Sequence, residues 1–227
     1  MREGHSLWQG GGAMWTDRLL FIDAEAMVID KPAGLAVHPG PKTPHSLENL
    51  LRDLRFGFQR EPSPVHRLDR DTSGCLLLSR NPKAHKRFAR AFEEGLVEKH
   101  YLAVLEGVIE GEGEIDQPLL KVSSAEQGWR MIADPKGQSA RTRWRAVRSD
   151  GTRTLVSFTP ATGRTHQIRA HAAYALGAAV VGDPVYGRAG PAMLLHAASL
   201  TVPREKKEPI AATAPLPPSF MKFRDEA

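Results

Sequence analysis

Apolar residues along this 227-residue chain fall in short clusters separated by turn-forming residues. Leu19 to Asp23 and Met27 to Asp30 are compact enough to predict two short strands, and Lys31-Pro32 ends the second because proline gives no donor to a sheet ladder. Leu47, Leu50, Leu51 and Leu54 recur at helical spacing behind Ser46, which predicts a helix with one apolar stripe and a serine N-cap. Cys75-Leu76-Leu77-Leu78 is a continuous apolar run of strand length, and the next helix is predicted from Pro82 through Glu94, with Gly95 as its C-terminal cap. Val97 to Glu106 reads as a strand, followed by glycines at 107, 111 and 113 that turn into hairpin-like segments through Phe158. Thr165 can cap a last substantial helix to about Leu176. The stretch from Pro203 to Pro218 carries too many prolines to be regular.

Helices are few and hairpins many, unlike the regular repeat of a doubly wound sheet, so the expected class is α+β with a mixed, largely antiparallel sheet. Residues 1–16, with Gly10-Gly11-Gly12, read as a flexible leader in which Met14 offers a second start, and 17–227 as one domain without internal repeat or linker. No run approaches the eighteen or so apolar residues of a membrane span, and Met1 to Ala13 lacks the apolar core of a secretory signal; a cytoplasmic protein with no membrane partner is expected. The single cysteine, Cys75, allows no internal disulfide and sits where a small core residue is wanted. A formal charge of +5 favours an anionic partner. Arg141, Arg143 and Arg145 alternate with Thr142, Trp144 and Ala146, a stripe that fits either a phosphate track or an ordinary solvated strand face.

The richest chemistry lies in Pro64-Val-His-Arg-Leu-Asp-Arg-Asp-Thr-Ser-Gly74, at the entry to the apolar Cys75–Leu78 strand. Asp69 stands there between Arg67 and Arg70. Neighbouring positive charge favours an ionised carboxylate, suited to nucleophilic attack or cation stabilisation, although a plain surface ion pair has the same composition. Asp71 has a turn-like neighbour in Thr72. Neither a phosphate-binding glycine loop nor zinc-ligand spacing occurs, and His166 and His171, five apart on a helix, would point in different directions.

His66-Arg67-Leu68-Asp69-x-x-Thr72-Ser73-Gly74 resembles the catalytic motif of the RluA-type pseudouridine synthases. Lys31-Pro32-Ala33-Gly34-Leu35-x-Val37-His38-Pro39 resembles the family's first motif and Lys99-x-Tyr101-Leu102-Ala103 its tyrosine strand. Thr162-Gly163-Arg164-Thr165-His166-Gln167-Ile168-Arg169-x-His171 resembles its third motif. Gly182-Asp183-x-x-Tyr186-Gly187 and Leu194-Leu195-His196-Ala197 resemble its closing loop and final strand. The order is the family's own. One departure is Ala178, where relatives often carry histidine.

The resemblance implies the pseudouridine synthase fold, with helices packed on a long mixed sheet and a central RNA cleft; the S4-like module that some relatives carry ahead of this domain is not expected, since little chain precedes Leu19. It implies an RNA pseudouridine synthase acting on rRNA or tRNA, without cofactor or metal, and a monomer is the simplest form. Asp69 would be the nucleophile. Arg169 would pair with it, with Arg164 as the alternative; on a helix starting at Thr165, His166 and Arg169 share a face near the N-terminus, where the dipole favours an anion. Tyr101 would stack on the uracil and relay a proton, unless it is only a buried cross-strand tyrosine. Arg67 would fill the gap left by the flipped base, Lys31 and His38 would shape the cleft with Arg164 unless they are a solvated lysine and a loop histidine, and Leu195 would pack under the base unless it is an ordinary core leucine. A kinase reading of His-Arg-Leu-Asp fails for want of a glycine-rich loop and Asp-Phe-Gly, and a noncatalytic RNA-binding protein leaves the Asp69, Tyr101 and Arg169 set unexplained.

Overall fold

The computed structural model describes residues 15–40, 43–125 and 128–223. Among the described residues, twelve strands come in chain order: β1 Leu19–Ile22, β2 Ala26–Lys31, β3 Ser63–Pro64, β4 Ser73–Ser79, β5 Glu98–Glu106, β6 Glu112–Asp116, β7 Leu119–Ser124, β8 Gly128–Ala133, β9 Arg141–Ser149, β10 Arg153–Pro160, β11 Leu195–Val202 and β12 Ile210–Thr213. Helix α1 spans Pro82–Glu93 and α2 spans Gln167–Ala175, with 3-10 helices at Leu47–Leu54 and Pro218–Phe223. The path of the ten-stranded sheet runs β1-β2-β4-β11-β5-β10-β9-β6, with β3 on β4 and β12 on β11; β7 and β8 form a separate hairpin. The class is mixed α+β, and every strand pair of the main sheet is antiparallel except β4 with β11.

Alternation along the central strands sorts side chains to two faces. Val28, Cys75 and Leu77 pack beneath α1 through Ala84, Phe88 and Ala91. Met27, Ile29, Leu76 and Leu78 meet Leu47 and Leu54 of the first 3-10 helix on the other face. In the second half of the sheet Ala103, Leu105, Val156 and Phe158 pack against Ile168 and Ala172 of α2. Tyr101 touches both the Leu47–Leu54 cluster and the α2 cluster, so it lies on the floor between them.

The sheet opens at its centre. Strands β4 and β11 pair only at Ser73↔His196 and Gly74↔Ala197. Beyond a register shift, β11 takes β12 as its neighbour, while the far end of β4 takes β3. Gly74 makes the junction possible: at φ +106 a Cβ there would lie 2.2 Å from the Ala197 carbonyl oxygen. Asp69 lies in the loop that connects β3 to β4.

Four expectations need correction. The residues assigned to a leader lie outside the described residues up to position 14, but Trp15 is buried with Met27, Ile29 and Leu35 as a core residue. The Leu47 segment is a 3-10 helix, and its entry is closed by the Asn49 side chain, which accepts from the Ser46 N–H at 2.9 Å. The N-cap of α2 is His166, in the left-handed region at φ 52, rather than Thr165. Gln167 explains that start: its amide oxygen accepts from the Arg164 N–H and the Thr162 hydroxyl while its amide nitrogen donates to the Arg141 carbonyl and the Thr142 hydroxyl, pinning the turn before the helix. The proline-rich tail contains β12, because its prolines flank Ile210–Thr213, leaving Ile210 and Ala212 to point inward.

Candidate active site

Asp69 is held from both ends of its loop. The Thr72 N–H donates to the Asp69 carbonyl at 3.1 Å, and the Gly34 N–H and the Lys31 ammonium both donate to the Arg70 carbonyl, at 2.9 and 3.1 Å. At the other end the His66 Nε2 accepts from the Leu77 N–H at 3.0 Å while its ring stacks on Phe92. The carboxylate is left 18% exposed at the wall of a cleft of about 410 Å³.

Arg169, 100 residues on, reaches it from α2: Nη1 donates to Asp69 Oδ2 at 2.9 Å. The same guanidinium makes a bidentate pair with Asp183, at 2.7 Å from Nε and 2.8 Å from Nη2. Asp183 is fully buried and also accepts from the N–H groups of Val185 and Tyr186. Burial pushes the Asp183 carboxyl up, but its hydrogen bonds and field from Arg169 outweigh that and hold it below the usual range. Burial pulls the other way on Arg169, and its two carboxylates still leave the guanidinium more basic than usual. The bidentate pair with Asp183 thus fixes the guanidinium in a plane, and its remaining reach is spent on Asp69.

Tyr101 lines the same cleft from β5. Burial, reinforced by the field of Asp69, pushes its phenol above the ordinary range, so the hydroxyl is protonated at neutral pH. Above α2, His166 sits with Nε2 3.8 Å from Asp69 Oδ2. Its Nδ1 lies 3.2 Å from the Tyr186 hydroxyl, whose oxygen accepts from the Met131 N–H of the β7–β8 hairpin. That leaves the Tyr186 proton for Nδ1 and turns the Nε2–H toward Asp69. Trp129 of β8, 43% exposed, packs on the His166 ring at 4.7 Å.

The other expected residues divide. Arg67 is exposed and Leu195 buried, both on the cleft lining. Arg164 lines the cleft too, but its Nε donates to the Ser139 carbonyl at 3.0 Å, so the Asp69 partner is Arg169. Lys31 has no exposed surface from which to touch RNA. Its ammonium donates to the carbonyls of Pro32, Leu35 and Arg70, fastening the Asp69 loop to β2, and burial lowers its pKa to about 7 against the opposing fields of Asp71, Asp69 and Asp30. His38 is bound to Glu48 at 2.7 Å and is absent from the cleft lining. Asp71 is held by Arg70 through both oxygens. Both ring nitrogens of His171 are engaged in the core, by the Thr142 hydroxyl and the Gln117 carbonyl. In the arginine stripe, Arg145, Arg143 and Arg141 stand opposite Glu112, Glu114 and Asp116 of β6, so acids match it across the strands and it is no bare cationic track.

A family model described as RNA pseudouridylate synthase matches residues 25–174, from β2 through nearly all of α2. The chain belongs to the RNA pseudouridylate synthase family. It is 58% identical over 208 residues to an uncharacterized RNA pseudouridine synthase of Zymomonas mobilis, covering 89% of this chain and 95% of that one. It is 37% identical over 191 residues to the ribosomal large subunit pseudouridine synthase D of Nitrosomonas europaea, where the match covers 83% of this chain but only 55% of the relative. Among solved structures, human RNA pseudouridylate synthase domain containing 1 aligns at 27% identity with a TM-score of 0.72, over 87% of this chain and 82% of that one. Human RNA pseudouridylate synthase domain containing 4 shares the fold at a TM-score of 0.78 and 22% identity, over 92% of each chain.

Two parts of this pseudouridine synthase site carried no assigned role in the sequence. Asp183 was visible only as a motif letter between a glycine and a proline, which reads as a turn residue. His166 and Trp129 are far apart in the chain, and only the hairpin brings them together. Ala178 is buried in the cluster beneath α2 with Ile168 and Leu176.

Buried histidines make stability depend on pH. Burial lowers His66 to about 3, reinforced by Lys99, and lowers His166 to about 4 against the opposing pull of Asp69. Burial also lowers His171 and His196. Each folded pKa is depressed below the unfolded value of about 6.5, so between the two the unfolded chain binds more protons. The stabilisation is present above about pH 6.5 and is lost as pH falls toward the folded values. Melting at about pH 7.5 and about pH 5 should show Tm lower at the acid pH by on the order of 10 °C. Equal values at the two pH would contradict neutral burial of these rings.

Proposed function

We propose that this RNA pseudouridine synthase isomerises a uridine in structured large-subunit rRNA, with Asp69 as the nucleophile. The observation that carries the reading is the Asp69–Arg169–Asp183 chain, which aims a single half-buried carboxylate into a cleft of nucleotide size. The rRNA assignment rests on relatives named ribosomal large subunit pseudouridine synthases C and D. tRNA is the competing target.

The target uridine leaves its stack, at a cost of a few kcal/mol, and Arg67 takes its place. Stacking on Tyr101 returns about 1–3 kcal/mol. The bond from ribose C1′ to uracil N1 breaks, with an Asp69 oxygen attacking the sugar or stabilising the charge that develops there. The base turns, C5 joins C1′, and the C5 proton is lost while N1 gains one. No electrons enter or leave. A protonated Tyr101 can take the C5 proton only by passing its own onward, as a relay. Tyr101→Phe should therefore bind RNA within about twofold of wild type and slow turnover by about 10²–10⁴. A lower Tm with turnover retained would make it a packing residue.

Carbodiimide mapping of pseudouridines in large-subunit rRNA, small-subunit rRNA and tRNA transcripts after incubation with the enzyme tests the target. A new site confined to the large-subunit transcript supports the assignment; a site confined to tRNA overturns it.

A further inference from the structure

Lys99 is 7% exposed and lines the cleft, yet the mechanism above gives it no work. Its ammonium makes one long hydrogen bond, 3.5 Å to the Thr162 carbonyl, and otherwise faces the Phe92 ring at 5.9 Å. Glu93 lines the same cleft, but no carboxylate among the described residues pairs with Lys99, and burial alone acts on it, lowering its pKa. Lys31, the other buried lysine, has three close carbonyl acceptors and three carboxylates acting on it. A buried cation without a counter-charge is costly to a fold, and a cleft is where such a cost has a functional return.

Position says which anion it faces. Lys99 and Tyr101 are two apart on β5 and share a face, with Tyr101 on the cleft floor beside Asp69. Lys99 lies one strand repeat beyond Tyr101, at the end of the cleft where its ammonium meets the Thr162 carbonyl and the Phe92 ring and where Glu93 and Gly95 also line the wall. With uracil on the floor and ribose at Asp69, the groups left at that end are the backbone phosphates on either side of the target ribose. We propose that Lys99 is a phosphate-binding residue that holds one of the two phosphates flanking the target uridine, an inference that rests on the pseudouridine synthase reading of the cleft.

The test compares wild type, Lys99→Met and Lys99→Arg on the shortest synthetic stem-loop that the wild type converts, and on the same RNA with single neutral methylphosphonate linkages placed in turn. Lys99→Met should bind the unmodified RNA about tenfold more weakly, with a salt slope smaller by about 0.7–0.9, and should melt no lower than wild type. Lys99→Arg should bind within about threefold of wild type. One methylphosphonate flanking the target should weaken wild type about tenfold and leave Lys99→Met unchanged, while the other linkages affect both alike. Matching responses at every linkage would overturn the assignment, as would unchanged Kd and salt slope with a reduced kcat, which would put the ammonium on the departing uracil. A lower Tm for both variants would make Lys99 structural and also overturn it. Those failures leave the wild type converting uridine; a wild type that converts no RNA removes the function reading itself.

Discussion

Asp69→Asn should fold as the wild type does and convert uridine at least about 10³-fold more slowly. The amide keeps the size and planarity of the carboxylate, so the loop retains its Thr72, Gly34 and Lys31 contacts, all of which are to backbone carbonyls. Arg169 keeps both bonds to Asp183 and loses only the charge of its other partner. Stability should therefore change by about 1 kcal/mol or less, a Tm shift within about 4 °C. The anion proposed to attack or face the sugar is gone. Single-turnover assays with enzyme in excess, read by nucleoside digestion and chromatography, separate this from weaker binding, and activity within tenfold of wild type would remove Asp69 from the chemistry.

Asp183→Asn should do the reverse, with a large structural cost and a catalytic cost that follows from it. The asparagine oxygen can still accept from the Val185 and Tyr186 N–H groups, so the local turn survives. Arg169 does not fare as well. Its side chain is 6% exposed, and without Asp183 only Asp69 offsets its charge. Breaking a buried pair from one side costs about 3–5 kcal/mol, which for a chain of this size lowers Tm by on the order of 10 °C. Freed from its plane, the guanidinium turns toward Asp69 or water, and turnover measured well below Tm should fall while RNA affinity holds. A variant with wild-type Tm and wild-type turnover would show that the Asp183 pair is dispensable.

The different fates of these two aspartates show how far the sequence could be read. Asp69 stood out because its loop, its arginine neighbours and its motif agreed. Choosing Arg169 over Arg164 depended on the motif, since the physical deciding feature is Gln167, whose four side-chain bonds set where α2 begins. Asp183 earns its role only through a guanidinium 14 residues earlier, and no local pattern announces that pair. Lys31 misled because a charged residue at a strand end is ordinarily solvated; here three loop carbonyls close over it. The arginine stripe was legible as a face, but the acids that stand opposite it come from β6, about thirty residues earlier. Trp15 lay next to a glycine run that hid its packing against β2. Local spacing located most strands and α1, whereas the cleft is lined by segments far apart in the chain, the Asp69 loop, β5 and the start of α2, which only the tertiary fold brings together.

Tritium release from large-subunit rRNA labelled at uracil C5, with wild type and Asp69→Asn side by side, is the most direct measurement. Release by wild type alone, with both proteins bound to the RNA and melting within about 4 °C of each other, is the predicted result. Equal release by the two proteins, or none by wild type on an RNA it binds, would contradict an aspartate-driven uridine isomerisation in this cleft.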